Sequence, residues 1–468
     1  MYNRQHCVPH DAVAAMNAGV GPAARTRAFR GTVFHFVGEA QSGPAERVAE
    51  LHTDGLLVVR DGRIAQVGDA AKLLPSLPPG AEVVDYSGKW LVPGFIDTHV
   101  HYAQSDIIAS PGEQLLTWLE RYTFPAEGRF ADAEHAREAA DFFLAELLRN
   151  GTTTASVFPT VHKSSVDALF AAAKEQRMCI ISGKLLMDRN CPEFLRDTAE
   201  SGYHDSQELI ERWHGRDRLH YAVTPRFAPT SSDAQLELAG KLVDEHPGVY
   251  VQSHVAENRD EVRWVAELFP WARSYLDVYD RFGLLRPNSV YAHCIHLDEQ
   301  DRQRIAARDA VMSFCPTSNL FLGSGLFDYE AARRARAHVA LGTDVAGGTS
   351  FSMLRTMHEA YKVMQLEGQL LSSFDAFYLA TRGAAQALGL ADRLGSFAPG
   401  NDADFVVLDP QATALLARRF ARTETLAEQL FAFMMLGDDR AVAATYILGE
   451  AAHVRDGVTS SRARRQYA

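Results

Sequence analysis

Between residues 95 and 344 the chain alternates short apolar or β-branched runs with longer stretches whose apolar positions recur at helical spacing. Eight runs stand out: Phe95–Val100, Thr152–Phe158, Met178–Leu186, Leu219–Thr224, Val249–Ser253, Ser289–Ala292, Ala310–Phe314 and His338–Gly342. The first intervening stretch, Asp132–Arg149, keeps a helical apolar face and stops at Asn150-Gly151, a pair suited to ending a helix. Similar charged, periodic stretches fill 165–177, 232–246 and 298–308. Strand and helix alternating in this way predict an α/β fold, a (β/α)8 TIM-type barrel over residues 93–392, whose chemistry gathers at the carboxyl ends of the strands. Those ends read His99 and His101, Arg226-Phe227, His254, His293, Pro316-Thr317-Ser318-Asn319 and Asp344.

On both sides of this region the period changes to two. Thr32–Val37 and Gly55–Ile64 alternate as strands, and Arg60-Asp61-Gly62-Arg63 is a hairpin signal. Asp404–Asp409 and Ala444–Gly449 return to the same style. Residues 28–92 and 393–457 are therefore expected to meet in one small β-sandwich built from both chain ends, leaving 1–27 and 458–468 as loosely ordered tails. There is no internal repeat and no long low-complexity segment.

Composition narrows the class. At 468 residues the chain exceeds what a single core usually holds, in keeping with a large domain plus a smaller one. With 47 basic against 59 acidic residues the net charge is −12, and no Lys/Arg block lines a helix, which disfavours nucleic acid as a partner. The five cysteines are odd in number and scattered, with no Cys-x-x-Cys, as expected of reduced thiols in the cytoplasm. No apolar stretch approaches the ~18–20 residues of a spanning helix, so a membrane partner is not expected.

His99 and His101 share one face of a strand, where two imidazoles can converge on one ion; among 18 histidines the spacing also arises by chance. His254 ends the run Val249–Ser253 and Glu257 follows three residues later, either a ligand with an acid/base above it or a loop with a solvated carboxylate. His293-Cys294-Ile295-His296 offers two imidazoles; strand alternation favours His293 for the site and leaves His296 a structural role. Asp344 closes a buried-looking strand and needs a cationic partner, for which a metal ion serves; the other reading is an N-cap. Together the three histidines and the aspartate make a first shell for one divalent ion with room for water, and such an ion lowers the pKa of water from about 15.7 towards 7.

These residues and the run Leu115–Glu127, with Thr224-Pro225-Arg226-Phe227, Gln252–Glu261 and Gly342–Gly348, carry a resemblance that spans residues 29 to 450. The chain resembles the amidohydrolase superfamily of metal-dependent barrel hydrolases, and within it is similar to the guanine deaminase family. The resemblance implies hydrolytic deamination of guanine to xanthine and ammonia, with one Zn²⁺ per chain held by His99, His101, His254 and Asp344; iron or manganese also suits such donors. It further implies Glu257 as proton shuttle, His293 and Asp344 as catalytic partners of the water, Gln104, Arg226 and Phe227 as guanine-binding residues, and a homodimer. Trp118 is a candidate pocket wall, with plain core packing as the other reading. Lys184 does not match the bridging lysine of dinuclear relatives, which leaves a single metal and a structural Lys184. The competing readings are a deaminase of another amino-heterocycle and a non-catalytic scaffold.

Overall fold

The computed structural model describes residues 26–40, 43–112 and 114–455. The expected tails, 1–27 and 458–468, lie outside the described residues except for Thr26 and Arg27, which open the first strand. Eight parallel strands form the barrel: Phe95–His101, Thr152–Phe158, Cys179–Ser182, Leu219–Pro225, Tyr250–Val255, Ser289–His293, Val311–Phe314 and His338–Leu341. The first two are buried at every position, as strands covered on both faces must be.

The ladder is continuous from the first strand to the eighth, and the last seam is closed by separate hydrogen bonds. Thr98 Oγ1 donates to Leu341 O at 3.1 Å. Asp344 N donates to His99 O at 2.9 Å, and His101 N to Val345 O at 3.1 Å. Barrel closure therefore sets Asp344 beside the two histidines of the first strand.

The helices follow their sequence signals closely. Ala133–Arg149 is capped by Asp132, which accepts from Glu134 N, and Asp233–Glu245 and Glu299–Ala307 start from Ser232 and Asp298 caps. The run Met178–Leu186, read as one strand, is two pieces: Leu185–Leu186 pairs separately with Thr224 and Pro225. The break falls at Gly183, where a Cβ would lie 1.8 Å from Ala222 O. Between the first strand and the helix Ala133–Arg149 a string of short turns covers the barrel mouth, including a wide π-helical turn at Leu119–Thr123.

The chain ends meet in a second, seven-stranded sheet. Glu82–Pro93 is its centre, pairing in parallel with Thr26–Phe36 on one side and antiparallel with Phe405–Leu408 on the other. Ala49–Arg60 and Arg63–Asp69 form the expected hairpin, with Asp61 and Gly62 both at positive φ (52° and 81°) as a two-residue turn of that kind needs. Val442–Ile447 and Glu450–Val454 complete the sheet, so Leu448-Gly449, read as strand, is their turn. No helix among the described residues is long and apolar enough to cross a membrane.

A buried charge network joins this sheet to the barrel. Arg218, just ahead of the fourth barrel strand, donates through Nη1 to Asp404 Oδ1 at 3.3 Å and through Nη2 to Asp404 Oδ2, while its Nε lies 3.3 Å from Asp402 Oδ2. Breaking a buried pair strands the remaining charge, so Asp404→Ala is expected to cost about 3–5 kcal/mol. Urea unfolding checks this, and an unchanged midpoint would show that Asp402 alone satisfies Arg218.

Candidate active site

At the carboxyl end of the barrel, residues from separate strands line one small cavity. His101, Gln104, Trp118, Arg226, Phe227, His254, Glu257, His293 and Asp344 all face it, joined by Leu115, Leu119 and Leu322. His99 packs behind them, 1% exposed. Every candidate residue of the sequence reading is thus in one place. Lys184 is elsewhere, buried in an ion pair with Asp197.

The nitrogens converge. His101 Nε2 and His254 Nε2 are 3.2 Å apart, and Asp344 Oδ1 lies 3.3 Å from His99 Nε2 and 3.4 Å from His101 Nε2. Ligand atoms of His99, His101 and Asp344, and of His99, His254 and His293, fall within 4.8 Å of one another. His254 Nδ1 donates to Arg226 O at 2.6 Å, which leaves the Nε2 lone pair pointing into the cluster. His99 Nε2 is buried with no hydrogen-bond partner of acceptable geometry. Burial pushes the His99, His101 and His254 pKa values down, the last two strongly, which favours the neutral form that binds a metal. Burial works against the Asp344 carboxylate, but His99, His293 and His101 around it outweigh that and hold it well below the usual range. Imidazole nitrogens and one carboxylate crowded around a common point, with His99 Nε2 left unpartnered, suit a divalent cation with N/O preference.

Beside this cluster sit two proton-handling groups. Burial pushes Glu257 up to about 7, with Asp344 and Glu261 adding to the shift and His293 opposing it. Its Oε2 is 3.2 Å from His293 Nε2, and its Oε1 accepts from Ser324 Oγ at 2.9 Å. Burial lowers His293, but the Glu257 and Asp344 carboxylates override this and leave its pKa raised. His293 Nδ1 donates to Asn319 Oδ1 at 2.8 Å, which aims Nε2 at Glu257.

Across the cavity lies a polar wall. Arg226 Nη1 donates to both oxygens of Glu127, at 2.9 and 2.7 Å, and its guanidinium stands 5.5 Å from the Phe124 ring centre. Gln104 Nε2 donates to Glu127 Oε1 at 3.1 Å. Phe227 is buried with its ring edge-on to Trp264, 6.2 Å away. Trp118 combines both of its readings, since it belongs to the main core and also lines the cavity; its indole N–H is unpartnered. His296 stays outside the cavity and donates to Ser324 O at 2.9 Å, a structural role.

Three residues of the site had no assigned role from sequence: Glu127, Asn319 and Ser324. Glu127 stands in the run Leu115–Glu127, where a carboxylate in an apolar stretch was the only cue. Asn319 is in a strand-end segment already marked, and Ser324 carries no local signal beyond its two flanking glycines.

Strain surrounds the working groups. Ala256, Cys294 and Asp344 all have positive φ (50°, 59° and 48°), adjoining Glu257, adjoining His293 and at the carboxylate itself. Such backbone costs of order 1–3 kcal/mol per residue and persists where the surroundings over-determine it.

Residues 90–452 match the Amidohydrolase family. The chain is 51% identical over 403 residues to the guanine deaminase of Escherichia coli (strain K12), covering 86% of this chain and 92% of that one. The solved structure of E. coli guanine deaminase superposes with a TM-score of 0.90 at 49% identity, covering 92% of this chain and all (100%) of that one. A guanine deaminase from C. acetobutylicum, solved with guanine bound in its active site, superposes with a TM-score of 0.82 at 29% identity over 91% of this chain and 100% of that one. With the barrel, the histidine and aspartate cluster and the match along most of its length, the chain belongs to the amidohydrolase family, among the guanine deaminases.

Proposed function

We propose that this protein hydrolyses guanine to xanthine and ammonia, with one divalent ion, zinc in the first instance, held by His99, His101, His254 and Asp344. The observation that carries the reading is the single cavity in which this donor cluster, a carboxyl group with a pKa near neutrality and a buried arginine all meet. An ion held there supplies Lewis acidity, which brings the pKa of water from about 15.7 towards 7. Iron or manganese fits the same donors.

The protein's own groups do the rest. Glu257 takes a proton from the attacking water and passes it to ring N3, so that C2 becomes electrophilic as the C–O bond forms. The same carboxylate then takes the remaining proton from the hydroxyl now bound to C2 and delivers it to the amino group, so that the C–N bond breaks, ammonia leaves and C2 keeps the oxygen as a carbonyl. His293, its tautomer fixed by Asn319, stabilises charge as it builds beside Asp344 and Glu257. Arg226 donates to O6, Gln104 hydrogen-bonds the ring edge, and Phe227 and Trp118 bound its faces. The same reading places the enzyme in the cytoplasm as a homodimer, without a nucleic-acid or membrane partner, in keeping with its net charge of −12.

The test is ammonia release from a panel of purines and triazines by metal-analysed protein, with guanine expected to be the preferred substrate. Preference for another amino-heterocycle would overturn the assignment. In the same assay Arg226→Ala is expected to lower kcat/KM for guanine by about 10²–10³-fold, the usual loss when one preorganised donor goes. An unchanged kcat/KM would exclude Arg226 as the O6 donor.

A further inference from the structure

Resting on the function just proposed, we infer that Ser324 is a positioning residue for Glu257 and decides which carboxyl oxygen carries the proton. Ser324 is 5% exposed, and its Oγ–H donates to Glu257 Oε1 at 2.9 Å. A hydroxyl hydrogen donated to Oε1 makes that oxygen the acceptor and favours the carboxyl proton on Oε2, the oxygen 3.2 Å from His293 Nε2. The backbone N–H of Glu257 is tied separately, to Glu261 Oε2 at 2.9 Å. Without Ser324 the His293 contact alone holds the carboxyl group, and nothing fixes Oε1 as the acceptor.

Ser324 itself is held from both sides. Its N–H donates to Asn319 O at 2.9 Å, and its carbonyl accepts from His296 Nε2 at 2.9 Å. The neighbours Gly323 and Gly325 have φ of +64° and +140°, and a Cβ at Gly325 would lie 2.9 Å from Ile295 Cγ2. This loop can pass so close to His296 only with glycine at that position. Asn319, which anchors Ser324 through its carbonyl, also anchors His293 through its side chain. One short segment, 319–325, therefore sets the orientation of both proton-handling groups, and it gives His296 a purpose outside the cavity.

The experiment compares Ser324→Ala and Ser324→Thr with the parent protein on guanine, with metal content and thermal midpoint measured on each. The alanine variant is expected to lose about 10–100-fold in kcat, with KM within about twofold and metal content unchanged. The threonine variant keeps the hydroxyl and should recover most of that loss. A parent-like kcat in Ser324→Ala overturns the inference. So does a loss that appears in KM, or one that follows metal content or thermal midpoint, since a loop that only shapes the cavity behaves that way. If the parent itself fails to turn over guanine, the proposed function falls first; normal parent turnover with an undiminished alanine variant removes Ser324 alone.

Discussion

Glu257→Gln is expected to lower kcat on guanine by about 10³–10⁴-fold while the protein keeps its metal. The substitution preserves the shape of the side chain and an oxygen for Ser324 to bond, but an amide cannot accept or return a proton. The large effect follows from the environment of the carboxyl group. Burial raises it to about 7, near the point where one group serves well both as base and as acid. A cation in the adjacent cluster favours the ionised form, so the acid limb of kcat/KM lies at or below pH 7 and reports loss of the base on protonation. Steady-state kinetics with elemental analysis decide the matter. Metal retention together with ordinary turnover would take Glu257 out of the reaction.

Removing the metal is the second large effect. A chelator that strips the His99, His101, His254 and Asp344 cluster is expected to reduce turnover to background, with recovery on adding zinc, iron or manganese. Stability should move as well, because an ion that binds only the folded chain contributes about 4 kcal/mol when present at 1,000 times its Kd. The metal-free protein has its own pH signature. Burial holds the His99, His101 and His254 imidazoles below their ordinary pKa of 6.5, so in the unfolded chain they bind protons that the folded chain refuses. Their contribution is therefore full above pH 6.5 and is lost as the pH falls below it. Thermal melts of stripped protein between pH 5 and pH 8 check this, and a flat profile would mean the three rings titrate freely.

Much of the barrel was legible because its strands and helices carry strong local signals. The Asp132 cap, the Asn150-Gly151 stop and the Asp61-Gly62 turn are each decided by a few neighbouring residues. Strand ends were less legible: Gly183 interrupts a continuous apolar run because of a close approach to a distant carbonyl, which no local pattern encodes. The same division holds in the cavity. His99 and His101 announce themselves through their spacing and Asp344 through its strand, and the structure brings them together with His254; their roles remain proposals for the experiments above. Glu127, Asn319 and Ser324 act on residues 99, 26 and 67 positions away, Arg226, His293 and Glu257. Their meaning lies in contacts rather than in composition or period.

The strand Glu82–Pro93 has a bearing on how the protein is made. One edge pairs with Thr26–Phe36, which precedes it in the chain, but the other belongs to Phe405–Leu408. As the polypeptide leaves the ribosome, that bare edge stays open while the whole barrel is translated, exposing unpaired amides to any neighbouring nascent chain. Closure of that edge thus waits on residue 408, some three hundred residues after the strand it completes.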